Sequence, residues 1–410
     1  MVPLVLSLLL QEPSLVDAVR AYLEGRGPAP QGEIAAVERA VKIAMRGPAP
    51  KEAGVKTHEV ASDIDPAVSI TYHVAIPEAK AEALPLLVSL HGQGGDAKEW
   101  IDFRAKELKD RAYYVLCPQA GKAGWGHSRL GYSHVLAPLR DAMARYNVDP
   151  DRVWIDGGSM GANGAWQIAS LWPDRFAAAA PRGGCPHFIR IKGEGGTEEI
   201  RPFYARNLKP VAVNWTVGAK DKGLDLNAVQ ALKVVLSGWR YDFAYTELPE
   251  GGHEWFPDET PRITEWMTGK ARSPDPPEVR WTSWEKIFNR SYWVEVLDAA
   301  GASRIETTVK DFDGRPIEKR LGLDREVRLT AIAKRAQNRI DVDGDGVKEL
   351  RLWLNDRIVD LSKPVKVTWN NKKVFEGRVE PSVQRMLDEA KRRGDAVLLY
   401  PAEITIKVGK

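Results

Sequence analysis

Five residues, Gly157-Gly158-Ser159-Met160-Gly161, constrain this chain more than any others. A strand-like run, Arg152-Val-Trp-Ile-Asp156, leads into them, and a helix-like run from Ala162 to Leu171 leads out. A turn that passes from strand to helix in so few residues lifts its central serine clear of the sheet. It needs glycines because side chains would collide in it. The pentapeptide alone also fits an ordinary glycine-rich turn, so the rest of the chain has to decide between the two.

A serine hydroxyl is a poor nucleophile near neutral pH and needs a base, which in turn needs an orienting acid. On an α/β sheet these partners come later in the chain, acid first and histidine second. Val211 to Gly218 reads as a strand, and Gly218-Ala-Lys-Asp221 puts a carboxylate in the loop after it. Asp221 is the expected acid. Asp225 is the alternative, and a helix-capping aspartate is the competing role for Asp221. Tyr241 to Leu248 reads as the next strand, and Pro249-Glu-Gly-Gly-His253-Glu-Trp255 follows as a loop that presents His253, the expected base. Earlier, the apolar run Leu86 to Leu90 enters His91-Gly92-Gln93-Gly94-Gly95. Such a loop offers backbone N–H groups to developing negative charge. The expected donors are the N–H of Met160 and that of Gln93 or its glycine neighbour, with Gly92 and Gly94 beside the substrate. His91 is expected to hold the loop rather than to act as a second base.

These residues carry a resemblance. The loop His91–Gly95, Pro118-Gln119, Trp125, Asp151-Arg152-Val153 before the serine turn, Trp166, Pro173-Asp-Arg-Phe-Ala177 and Gly251-Gly-His253 resemble the phospholipase/carboxylesterase and predicted-peptidase branch of the α/β-hydrolases. They also resemble feruloyl-esterase and polyhydroxybutyrate-depolymerase-like esterases. The resemblance spans about residues 65–270. It implies a carboxylic ester hydrolase that uses Ser159, Asp221 and His253 and needs no metal or organic cofactor. One departure is visible: many relatives carry Gly after Ser-Met-Gly, where this chain has Ala162 and Asn163.

Net charge is +3 over 410 residues, and no long basic run appears, so nothing points to nucleic acid. Two cysteines, Cys117 and Cys185, exclude a disulfide-rich scaffold and a four-thiolate zinc site. Each is expected to be a small buried apolar residue rather than half of a bridge. Val2 to Leu10 is almost unbroken apolar sequence. It fits the core of a short export signal and is too short to span a bilayer. The expected location is secreted or periplasmic. No lysine or arginine precedes the run and no cleavage site is visible, so a buried first element in a cytoplasmic protein is the alternative.

The expected organisation is a possible signal segment (1–12), an N-terminal helical hairpin (13–55), an α/β catalytic domain (56–271), a proline-rich linker (272–278) and a β-rich C-terminal domain (279–410). The fold class is a doubly wound, mostly parallel sheet of the α/β-hydrolase type with these two additions. Apolar spacing predicts helices from Ser14 and over Glu33–Met45, packed on the catalytic domain. Three prolines in Ser273-Pro-Asp-Pro-Pro277 exclude a helix there. Strands are expected near 279–284, 291–297, 351–354, 364–369 and 403–408, and a helix at Val383–Arg392. This part resembles the C-terminal extension of some bacterial, especially planctomycete-type, hydrolases. Asp341-Val-Asp-Gly-Asp-Gly346 matches the first half of a calcium-binding loop, but Leu352 stands where the bidentate glutamate belongs, so a hairpin turn is the expectation.

The sequence after residue 272 contains no histidine and so lacks the usual general base near pH 7. A chain ending near Arg272 is therefore expected to keep hydrolysis of small esters. Trp281 and Trp284 near the linker would instead let the second domain wall the site. Trp125 is expected near the site, where its ring can stack on a sugar or phenolic ring, with simple packing as the other reading. Residues 186–207 are a candidate lid. The expected substrate is a small or polysaccharide-linked ester. A serine peptidase of the same fold and a non-catalytic binding protein are the alternatives. No oligomeric state follows from the sequence.

Overall fold

The computed structural model describes residues 14–122, 124–125, 128–186, 188–192, 198–202, 204–285, 287–300, 305–310, 315–322 and 326–408. The expected signal segment lies outside them, as do His127 and the tip of the candidate lid.

Among the described residues, ten strands belong to the first two thirds of the chain: β1 (Gly54–Ala61), β2 (Ser69–Ile76), β3 (Leu84–Leu90), β4 (Tyr114–Pro118), β5 (Val148–Gly158), β6 (Ala178–Arg182), β7 (Phe188–Lys192), β8 (Glu198–Pro202), β9 (Ala212–Gly218) and β10 (Phe243–Leu248). Eight of them form one sheet in the order β1-β2-β4-β3-β5-β6-β9-β10. The β1–β2 and β2–β4 pairs are antiparallel and every later pair is parallel. Strands β3 and β9 are buried at every residue, which explains their continuous apolar runs: a parallel strand is covered on both faces. Edge strand β1 is mostly exposed and correspondingly polar. Helices α1 (14–23) and α2 (Ile34–Ala44) precede the sheet. Helices α3 (Ala97–Glu107), α4 (Arg129–Arg145), α5 (Met160–Leu171), α6 (Leu226–Gly238) and α7 (Thr260–Thr268) alternate with the strands. Trp154, Ile263 and Met267 share the core on the side of α3 and α7, and Ile155, Ile168 and Leu232 the core on the opposite side.

After residue 277 the chain forms a five-stranded sheet and a four-stranded sheet that share one core. Val279, Leu329 and Ile340 from the first sheet meet Val294, Leu352 and Ile404 from the second, the facing-sheet packing of a β-sandwich. Helix α8 (Val383–Arg393) follows the expected span closely.

Three expectations are corrected here. The N-terminal hairpin seats its apolar face on α8 rather than mainly on the large sheet: Val16, Val19, Val37 and Val41 pack against Met386, Leu387 and Ala390. The Gly344–Gly346 segment is not a hairpin turn. Arg339–Asp345 pairs within the five-stranded sheet and Val347–Leu354 within the other, so Gly346, at φ +75°, turns the chain between sheets. Asp341 is taken up by Lys334 and Arg339, both at 2.7 Å, and by the Thr368 hydroxyl, while its neighbouring carboxylates lie along an extended strand instead of a curled loop. Among the described residues no metal-ligating cluster of three or more side chains occurs. Finally, the expected linker is a packed strap. Trp293 donates to the Pro276 carbonyl, and Asp275 accepts from Asn355 and Arg357.

Buried charges join the two parts. Arg272 donates to Asp151 at 3.0 Å, to Asp395 at 2.8 Å and to the Asp174 carbonyl. Arg393 of α8 reaches Asp174 at 2.6 Å. The Asn207 side-chain amide and the Thr282 backbone exchange two hydrogen bonds, at 3.1 and 2.7 Å. Phe288, from the C-terminal part, is buried in the core of the large sheet against Tyr132, Trp172 and Tyr204. Trp281 is buried in the sandwich core and Trp284 packs against the large sheet's core.

Candidate active site

Strand β5 ends at Gly158 and α5 starts at Met160, leaving Ser159 alone at the turn with φ +55° and ψ −118°. A non-glycine residue held at positive φ costs about 1–3 kcal/mol and persists only where its surroundings over-determine it. Here a Cβ at Gly161 would collide with the Leu90 carbonyl, so the helix start lies directly on β3. The Ser159 N–H donates to the Arg182 carbonyl at 3.0 Å, which ties the turn to β6. Ala162 and Asn163, the departures noted in the sequence, have a local use. Ala162 is buried against Gly184, and the Asn163 side-chain oxygen accepts the Cys185 N–H at 3.0 Å.

The structure brings Ser159, Asp221 and His253 together. His253 Nε2 stands 2.7 Å from Ser159 Oγ, and His253 Nδ1 lies 2.9 and 3.1 Å from the two Asp221 carboxylate oxygens. Asp221 has a fully buried side chain and also accepts the Gly223 N–H at 2.7 Å. The His253 side chain keeps 43% of its surface open, so solvent or substrate can reach it. Asp225, the alternative acid, caps α6 by accepting the Ala228 N–H. The loops that carry Asp221 and His253 hold each other: the Ala219 N–H donates to the Leu248 carbonyl and the Lys220 N–H to that of Gly251.

Met160 occupies the first helical position of α5, where a backbone N–H has no partner within the helix. Gly92 lies over the turn, since a Cβ there would stand 3.8 Å from Ser159 Cβ. The 92–95 turn closes through a 3.2 Å bond from the Gly95 N–H to the Gly92 carbonyl and leaves Gln93 exposed. Gly94 takes φ +72° with open space around it, so its glycine serves the turn's geometry. His91 holds the loop as expected. Its Nδ1 lies 2.7 Å from the Gly92 carbonyl, and its Nε2 accepts the Ala120 N–H at 3.2 Å. Burial lowers the His91 pKa, which keeps the ring neutral in that role.

Trp125 presents no open surface on which a ring could stack. It is fully buried, its Nε1 donates to the His91 carbonyl at 2.9 Å, and its ring meets His91 edge-on. It packs beneath the loop. The candidate lid is partly a hairpin, β7–β8, with residues 187, 193–197 and 203 outside the described residues. Tyr204 at its exit is fully buried and donates to Glu285 at 3.2 Å. Cys117 and Cys185 are free thiols, and burial pushes the Cys185 thiol up to about 11, so it is no competing thiolate nucleophile near neutral pH.

A cluster to which no motif pointed lies beneath the site. Arg104, Asp156 and Arg182 are buried there with Glu107, and Trp255 lies 3.9 Å from the Arg182 guanidinium. An arginine in the apolar run Ala-Ala-Ala-Pro-Arg182 was the available signal, since a charge is almost never fully buried unless paired.

No family model matches the chain. A feruloyl esterase B of Neurospora crassa is 27% identical over 135 residues, 29% of this chain and 45% of that protein. Among solved structures, a thermostable esterase aligns at 21% identity with a TM-score of 0.43, covering 53% of this chain and 63% of its own. A ferulic acid esterase of Anaeromyces mucronatus, in complex with ferulic acid, aligns at 12% identity with a TM-score of 0.41, covering 54% and 92%. The chain thus spans less than half of the curated relative. Its own sheet order, the strained serine between β5 and α5, and the chain order Ser159, Asp221, His253 give it the α/β-hydrolase fold.

Proposed function

We propose that this protein is a serine hydrolase that cleaves carboxylic esters through an acyl-enzyme intermediate. The observation that carries the reading is the 2.7 Å approach of His253 Nε2 to Ser159 Oγ, with Asp221 on Nδ1. In this mechanism His253 takes the Ser159 proton as Oγ attacks the ester carbonyl carbon. Asp221 holds the ring with Nδ1–H toward itself and stabilises the imidazolium that forms. The backbone N–H groups of Met160 and Gln93 receive the oxyanion, each such donor supplying roughly 3 kcal/mol in the transition state. His253 then protonates the departing alcohol. A water, deprotonated by His253, attacks the acyl-serine, and His253 returns that proton to Ser159 Oγ as the acid leaves. Every step uses residues before 272, and the sandwich supports them from outside.

The substrate class proposed is a carboxylic ester carried on a carbohydrate or another small alcohol. Esters of phenolic acids are the first to test, because the Neurospora relative is named for feruloyl esters. Export is proposed from the apolar run Val2–Leu10 and is tested by N-terminal sequencing of protein recovered outside the cytoplasm. The decisive experiment pairs p-nitrophenyl and feruloyl esters with peptide amides, using the wild-type chain and Ser159→Ala. Ester turnover should fall on the order of 10⁶-fold in the variant, and a fluorophosphonate should label Ser159 alone. Label on another serine would refute the assignment, and faster amide than ester cleavage would make the protein a peptidase.

A further inference from the structure

Three neighbouring strands, β5, β6 and β9, each reach a glycine at the level of Ser159, and the 251–255 loop rests on all three. A Cβ at Gly158 would stand 3.0 Å from the Trp255 ring, and one at Gly183 would stand 3.1 Å from the Glu254 carbonyl. One at Gly218 would collide with the Gly251 carbonyl. His253 rides in the middle of this loop. Its C-terminal side is fastened by Trp255: the indole N–H donates to Glu107 at 3.1 Å, and the ring lies 3.9 Å from the Arg182 guanidinium and 4.7 Å from that of Arg104. Arg104 in turn donates to Asp156 at 2.7 Å. Asp156 lies on the strand that ends beside Ser159, and the Arg182 carbonyl accepts the Ser159 N–H. The serine and the histidine loop are therefore attached to one buried ion cluster.

We infer that Trp255 is a positioning residue that fixes the His253 imidazole against Ser159 Oγ by binding the histidine loop to the cluster that also holds the serine turn; this rests on the assignment of Ser159 and His253 as nucleophile and base. A stacked guanidinium and a hydrogen-bonded indole resist sliding in two directions, and the glycines let the loop sit too low to rise over a side chain. The histidine is thus aligned before substrate arrives.

The test uses the full chain with Trp255→Leu, Trp255→Phe and Gly158→Ala. Since a misplacement near 1 Å can cost about 100-fold, Trp255→Leu should lower kcat by roughly 10- to 100-fold with KM within about twofold. The rate of fluorophosphonate labelling should fall in the same proportion. Trp255→Phe keeps a ring over Arg182 and against Gly158 and should recover kcat to within about threefold of wild type. Gly158→Ala pushes the ring from the other side and should lower kcat and labelling together. A variant with lowered Tm but wild-type kcat and labelling rate would show a merely structural role and overturn the inference. If Trp255→Leu does not fold, unchanged kcat in Gly158→Ala overturns it equally. Full activity in Ser159→Ala would instead overturn the underlying assignment, whatever Trp255 does.

Discussion

Phe288→Ala tests whether the two parts of this chain stand or fall together. Phe288 follows the proline-rich strap in sequence, yet its side chain is buried among Tyr132, Trp172 and Tyr204 of the large sheet's core, with ring centroids 5.6, 5.4 and 5.9 Å away. It is 7% exposed. Truncating a buried phenylalanine costs about 3–5 kcal/mol through lost transfer energy and the cavity left behind. Against a net stability of about 5–15 kcal/mol, that is a large fraction. The cavity opens on the side of Phe288 and does not touch Ser159, Asp221 or His253, so kcat in buffer should be unchanged. The assay is urea unfolding followed by tryptophan fluorescence and, in parallel, by residual ester hydrolysis. Both midpoints should move down together by an amount worth about 3–5 kcal/mol. A loss below about 1 kcal/mol, or a fluorescence transition that separates from loss of activity, would refute the view that the parts share a core. The shared core changes the expected outcome for a chain ending at Arg272. Such a chain loses Phe288, Arg393 and Asp395 together, and should be recovered unfolded or aggregated rather than active.

Two further outcomes separate site from scaffold. Asp221→Asn should cut kcat by roughly 10⁴-fold, as loss of the orienting acid does elsewhere. Asp225→Ala should leave kcat intact and cost about 1 kcal/mol of stability as a lost helix cap, and equal loss of activity in the two would make the acid assignment wrong. Acid should loosen the interface. Burial alone would raise the Asp395 pKa, but Arg272 and Arg175 outweigh it and hold the carboxyl below the ordinary carboxylate range. A carboxyl depressed on folding contributes stability that is complete above the unfolded value of about 3.9 and is lost as pH falls through and below it. Urea midpoints should therefore drop below about pH 4 in the wild type. Asp395→Asn should start lower at pH 6 and decline less. An identical decline in both would mean that Asp395 is not the acid-sensitive group.

The meeting of Ser159, Asp221 and His253 was legible in the sequence because each follows the end of a strand, and strand ends announce themselves through apolar runs followed by glycine-rich loops. The turn demanded glycines, His253 lay in a glycine-rich loop, and chain order on a parallel sheet told the candidate acid from the candidate base. His91 was legible for the same reason. Trp125 was not, because a tryptophan in a glycine-rich loop reads alike whether it faces substrate or packs beneath the loop; only the His91 carbonyl accepting its N–H decides. The Gly344–Gly346 turn had the composition of a hairpin, but which sheet each flanking strand joins depends on partners far along the chain. Arg272 read as the edge of a linker, and its burial depends on Asp151 and Asp395, 121 and 123 residues away. Local spacing thus determined the fold class and the strand-end loops that carry Ser159 and His253, since those follow from short-range sterics and periodicity. Tertiary structure alone decided how the helical hairpin, the sandwich and the large sheet share cores and charges, because burial and pairing energies belong to residues that meet only after the chain has folded.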